Sequence, residues 1–239
     1  MGHGELGQTL KMMFRFFCFL FFSIQLIAGP PTLSNDPFIP DVGQFEINLG
    51  AHIEQGRERV IAAPIIDANY GVFKNVQITG VLAYATDGDQ RGFDAFEFSV
   101  KWKFYDDNFF AIALNPVYFS YPVSTVFNEG EVYKLSVPMS FVFSENWSWL
   151  IDLSYIYPRE ERDHFELGTY LQYTQGTQNV YLEYFAEESK YHDAIFSLLN
   201  VGYLWQFHDY VAWMVSVGRE IRAEEKEATI AYSALQFTF

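Results

Sequence analysis

The chain has 239 residues and 27.7 kDa, with 15 Lys and Arg against 30 Asp and Glu, a formal net charge of −15 and a pI near 4.6. Twice as many acids as bases argues against a nucleic-acid partner, which needs a basic face; the single cysteine, Cys18, excludes a disulfide scaffold and a thiolate zinc cluster. Half of the residues are apolar and 19% are aromatic, which excludes a disordered chain and leaves a globular or a membrane protein.

Met12 to Ala28 reads MMFRFFCFLFFSIQLIA. Arg15 precedes an uncharged run from Phe16 to Ala28, shorter than the roughly 17–25 residues that cross a bilayer as a helix. Its length, the small pair Ala28-Gly29 and the helix-stopping Pro30-Pro31 predict a cleaved signal peptide over residues 1–28, with translation starting at Met12 or Met13. Cys18 would leave with it. A lead over residues 29–42, expected in the periplasm, then precedes residues 43–239.

From residue 43 onward the dominant period is two. Phe45-Glu46-Ile47-Asn48-Leu49, Phe96 to Phe104 and Tyr133-Lys134-Leu135-Ser136-Val137 alternate apolar and polar residues, which gives a strand one greasy and one polar face. Twelve such segments are predicted, near 43–53, 60–70, 75–86, 93–104, 108–120, 131–143, 147–157, 164–173, 179–187, 193–205, 209–218 and 228–239. Most are about ten residues long, the length of a tilted membrane strand. Short turns such as Tyr105-Asp106-Asp107-Asn108 alternate along the chain with longer, charged connections such as Pro158 to Asp163 and Arg219 to Glu227.

This pattern predicts an all-β fold: a transmembrane antiparallel up-and-down β-barrel of about twelve strands, its even strand count and unequal rims matching barrels of the bacterial outer membrane. A soluble sandwich shares the alternation but has no use for aromatics gathered near strand ends, as Phe104, Tyr105, Phe109, Phe143, Trp147, Tyr157, Trp205 and Tyr210 are. In the last segment Leu235, Phe237 and Phe239 share one face, the terminal aromatic signature by which such barrels are handed to their assembly machinery.

Two stretches carry a family resemblance. Pro40-Asp41-Val42-Gly43-Gln44-Phe45-Glu46-Ile47-Asn48-Leu49 and Pro64-Ile65-Ile66-Asp67-Ala68-Asn69-Tyr70-Gly71-Val72, with Asn75-Val76-Gln77 after them, resemble the transporter-like outer-membrane barrel family labelled MetA-pathway of phenol degradation. The resemblance covers the first three strands and implies a Gram-negative outer-membrane location. It carries no catalytic or binding residues with it.

The polar member of each alternation must face inward, because a lysine against lipid at mid-height costs about 2–4 kcal/mol. The candidate lumen-lining residues are Glu46, Asp67, Glu97, Lys101, Lys103, Lys134, Asp152, Glu166, Tyr170, Tyr181, Glu183 and Tyr232. Lys101, Lys103 and Lys134 lie on the fourth and sixth segments and the acids Asp152, Glu166 and Glu183 on the seventh to ninth, so a basic wall is expected opposite an acidic one. Such a lining serves either a channel for small solutes, hydrophobic or aromatic ones among them, or a non-conducting envelope barrel filled by paired charges. Tyr170, Tyr181 and Tyr232 suit an aromatic ligand or simple packing.

An outer-membrane hydrolase is a distant third reading. His52, His164 and His192 sit near one rim, but neighbours on a strand such as Asp163 and His164 point to opposite faces, and no serine has a nucleophile context. The expectation is no enzyme and no cofactor. The expected partners are outer-membrane lipid, the barrel-assembly machinery and a small-molecule solute.

Overall fold

The computed structural model describes residues 31–56, 59–87, 89, 91–121, 131–158, 162–188, 195–221 and 227–239. The expected signal segment lies outside them. Twelve strands follow in chain order: β1 (Phe45–Gln55), β2 (Arg59–Phe73), β3 (Val76–Thr86), β4 (Arg91–Asp106), β5 (Phe110–Ser120), β6 (Glu131–Val142), β7 (Trp147–Pro158), β8 (His164–Gln175), β9 (Gln178–Glu188), β10 (Ile195–His208), β11 (Val211–Glu220) and β12 (Thr229–Thr238). Every bound falls within three residues of the expected one.

Each strand pairs antiparallel with its sequence neighbours, and β12 returns to β1 to close the barrel. The seam runs from Glu46↔Thr238 to Gln55↔Thr229. Next to it Phe45 and Phe239 exchange backbone bonds of 3.1 and 2.9 Å. Closure leaves no edge and satisfies the backbone inside the sheet, the condition for crossing lipid with strands.

The side-chain period sorts the two walls. On β4, Phe96, Phe98 and Trp102 are 46%, 44% and 51% exposed, whereas the intervening Ser99 and Lys101 are 3% and 8% exposed. Mid-strand Leu182 and Val201 are exposed among apolar neighbours, as lipid-facing residues are. Aromatics flank this band in cross-strand contacts: Phe110, Phe141 and Trp149 form a row across β5, β6 and β7, with centroids 4.9 and 5.8 Å apart, and Tyr155 packs on Phe165 near the opposite rim.

The two rims differ as the connection lengths predict. The β2–β3 and β8–β9 turns are two residues long, and Asn75 and Gly176 supply the left-handed backbone they need, at φ of 69° and 59°. Glu54, Asp87, Asp89, Arg91, Asp163, Glu187, Glu188, Arg219, Glu220 and Glu227 belong to the other, long-loop rim. Arg57, Glu58, Glu129, Arg159, Glu160, Glu161, Lys190, Asp193, Arg222, Glu224, Glu225 and Lys226, expected at the same rim, lie outside the described residues.

A lumen divided by the N-terminal lead

The lead, expected in the periplasm over residues 29–42, is described from residue 31 and enters the barrel. It is anchored at the short-turn rim, where Gly43 N donates to Gly71 O at 2.8 Å and Gly71 N to Gln44 O at 3.1 Å. Residues 31–40 turn into the lumen and run along the inner face of β6 to β10. The physical reason is an array of buried inward acids that would otherwise lack donors.

Glu183, fully buried on β9, accepts bonds from Leu33 N at 3.0 and 3.1 Å, Ser34 N at 2.9 Å and Ser34 Oγ at 2.5 Å. Asn200 Nδ2 donates to the same carboxylate at 2.9 Å. Asp152 on β7 accepts from Asn35 N at 2.9 Å, Asn35 Nδ2 at 3.2 Å and Ser136 Oγ at 2.6 Å. Lys101 on β4 lies 3.4 Å from Asp36 and donates to Phe38 O at 3.3 Å. Backbone N–H groups and hydroxyls thus take the place of water around acids that are costly to bury alone.

Missing side chains make room for the lead. A Cβ on Gly168 would stand 2.0 Å from Ser34 Oγ, one on Gly202 3.0 Å from Pro31, and one on Gly71 2.2 Å from Asp41 O. A glycine inside a strand pattern marks a close backbone approach, the one trace of this docking that the sequence carries. Ser34, Asn35 and Asp36 themselves read as an ordinary polar loop.

The lead leaves the lumen in two parts. Behind and beside it, Leu150, Tyr170, Tyr181, Leu204, Ala212, Met214 and Ala234 pack as an apolar cluster, with Tyr170 and Tyr181 in edge contact at 5.7 Å and each 2% exposed. These two tyrosines therefore fill space. On the other side a cavity of about 650 Å³ is walled by the lead, β1 to β5 and β10 to β12. Glu46, Asp67, Glu97, Lys101 and Tyr232 line it, whereas Lys103, Lys134, Asp152, Glu166, Tyr170, Tyr181 and Glu183 do not.

The expected basic and acidic walls do not form. Lys134 pairs directly with Glu166, two strands away across β7. Lys103 lies at the short-turn end of β4, where the register shifts, and pairs with Asp106 at 2.5 Å. Opposite charges two strands apart on one face are close enough to pair, so the bases and acids interleave. Near the long-loop rim His164 pairs with Glu187 at 3.1 Å, while Asp163 accepts from Tyr155 on the outer face.

The cavity has a polar floor and largely apolar upper walls, interrupted by His52 and Glu54 of β1. Gln236 Nε2 donates to Asn48 Oδ1 at 2.9 Å, and Asn48 Nδ2 to Asp67 at 3.0 Å. Gln77 Nε2 and Thr79 Oγ1 donate to Asn69 Oδ1 at 2.6 and 2.7 Å, and Asn69 Nδ2 donates to Asp67 at 3.1 Å and Glu46 at 3.3 Å. Above this network stand Val60, Ala62, Ile65, Val81, Ala83, Phe119, Ile230 and Tyr232. Asn48, Asn69, Gln77 and Phe119 join the candidate lining, the first three as inward members of the alternation.

The barrel is similar in fold to several solved structures. The COG4313 outer membrane channel from Pseudomonas putida F1 matches 89% of this chain and all of its own, with a TM-score of 0.68 and 10% identity. The KdgM porin, solved in complex with disordered oligogalacturonate, matches 80% of this chain and 99% of its own, with a TM-score of 0.63 and 12% identity. The NanC porin covers the same share of this chain with a TM-score of 0.62 and 8% identity. No family model matches the chain, and no curated protein matches it by sequence.

Proposed function

We propose that the protein is a channel of the bacterial outer membrane that passes small solutes, with its long charged loops outside and its short turns in the periplasm. The orientation follows the usual asymmetry of such barrels. The observation that carries the reading is the cavity of about 650 Å³ beside the docked lead, the size of a small-molecule site. The solved structures of like fold are themselves channels and porins, which supports the same reading as analogy.

The lead makes this a constricted channel whose width depends on whether residues 31–38 stay docked. The apolar upper walls suit hydrophobic or aromatic bodies, as does the resemblance of the first three strands to the phenol-degradation barrels. Leu235, Phe237 and Phe239, on the outward face of the closing strand, are the residues the assembly machinery would read. The packed Tyr170–Tyr181 cluster favours the second reading, a non-conducting structural barrel.

Planar-bilayer recording and liposome uptake separate the two. The purified protein is expected to show small unitary currents, and Gly168→Leu, which drives a side chain into Ser34, is expected to enlarge them. Absence of ion and phenol passage in both proteins would leave the structural reading.

A further inference from the structure

We infer that the cavity is a binding site for a small organic cation, a primary amine carrying an apolar or aromatic body. This assigns a solute class to the proposed channel and rests on that reading only for the question of passage.

The first observation is an excess of acceptors. Asp67 and Glu97 both neighbour Val81 in the sheet register, on the strands to either side of it, so their backbones stand about 10 Å apart with both side chains turned inward. Two carboxylates at that separation can converge on one ammonium. Asp67 is held by neutral amides alone, Asn48 on one oxygen and Asn69 on the other, which leaves further lone pairs on each. Glu97 makes no hydrogen bond or ion pair with any described residue. Lys101, which lines the cavity, is in direct contact with Asp36 and Phe38 O, and Lys134 with Glu166, and both reach Glu97 only through space and offset part of its charge.

A second observation points the same way. Asn115 lines the same cavity, is 2% exposed, and its Oδ1 has no hydrogen-bond partner among the described residues. A buried acceptor in that state calls for a donor. A primary ammonium brings three donors and no acceptor, the complement of Asp67 and Glu97; Asn115, four residues along β5 from Phe119, offers its acceptor to another part of the ligand.

The shape of the lining selects the rest of the molecule. Phe119 stands opposite Glu97 in the register and faces the cavity with Val81, Ile65 and Tyr232. An apolar body can lie against these residues while its charged end reaches the carboxylates. A bare metal ion fits less well, since no group of three or more His, Cys, Asp or Glu among the described residues is arranged to hold one.

The test is calorimetric titration of the folded barrel in detergent with phenethylammonium and with its neutral analogue, 2-phenylethanol. Charged hydrogen bonds of ordinary strength predict at least about tenfold tighter binding of the cation. Asp67→Asn with Glu97→Gln is expected to bring the ratio near one, and Phe119→Ala to weaken both ligands alike. Heat-modifiable migration on gels reports whether each variant is folded, and the wild-type ratio decides the matter even if the double variant is not. Equal binding of the two ligands by the wild type, or a preference that survives in the folded double variant, overturns the inference. A protein that conducts without preferring the amine keeps the channel and loses the site. One that binds the amine but passes neither ions nor solute keeps the site and loses the channel.

Discussion

Glu183 shows how one inward acid can organise a lumen. It is completely buried, and its carboxylate collects donors from Leu33, Ser34 and Asn200. Glu183→Gln removes the charge and turns one acceptor oxygen into a donor facing other donors. Hydrogen bonds to a charged group are worth about 1.5–3 kcal/mol each, so the docked lead should loosen while the barrel persists. Hydrogen exchange at the amides of Leu33 and Ser34 should pass from slow to fast, with the strand amides of β8 and β9 still protected. Retained protection in this variant would show that the glycine notches alone hold the lead. Glu183 was legible as an inward residue from alternation; its partners in the lead were not, because they lie 149 and 150 residues away in a segment with no periodic signal.

The elements obey rules that are local in sequence. At the β4–β5 turn the Asp107 carboxylate accepts from Tyr105 Oη at 2.7 Å and from the backbone of Phe109 and Phe110 at 2.8 and 2.7 Å. The Tyr105 bond first, then the two backbone bonds, hold its pKa below the ordinary carboxylate value. A depressed folded pKa stabilises the turn above the unfolded value, near 3.9, and that contribution is lost as pH falls through the folded one. The protection factors of the Phe109 and Phe110 amides, relative to the intrinsic rate at each pH, should therefore fall on acidification below that range, and in Asp107→Asn should be low at neutral pH as well. The strand faces offer a second test. Val201, at mid-strand and 55% exposed, faces lipid while its neighbour Asn200 is 1% exposed. Val201→Lys should lower folding stability in liposomes by about 2–4 kcal/mol. A negligible loss would mean that this position lies outside the hydrocarbon.

For the whole molecule, closure and rim asymmetry make a topological prediction. Asp89 belongs to a long-loop connection and Asp107 to a short turn at the other rim. In intact cells a membrane-impermeant thiol reagent should label Asp89→Cys, and Asp107→Cys only after the outer membrane is breached. The opposite pattern would invert the proposed orientation. Removing residues 31–38 should widen the conducting path more than Gly168→Leu does, because it clears the lead from the inner face of β6 to β10 and leaves Asp152 and Glu183 to water.

The number of strands, their bounds to within three residues, the outward and inward faces and the up-and-down order all follow from the sequence by itself. Each depends on a period of two, on turn residues at fixed places and on the cost of a charge against lipid, and these act between neighbours in the chain. The contents of the lumen depended on the tertiary structure. Closing the barrel brings Asp152 and Glu183 to face a lead that no alternation describes, sets Lys134 beside Glu166 instead of across an open pore, and packs Tyr170 onto Tyr181. Which inward residues meet is decided by strand stagger and by the one irregular segment threaded past them, and neither leaves a periodic trace in the sequence.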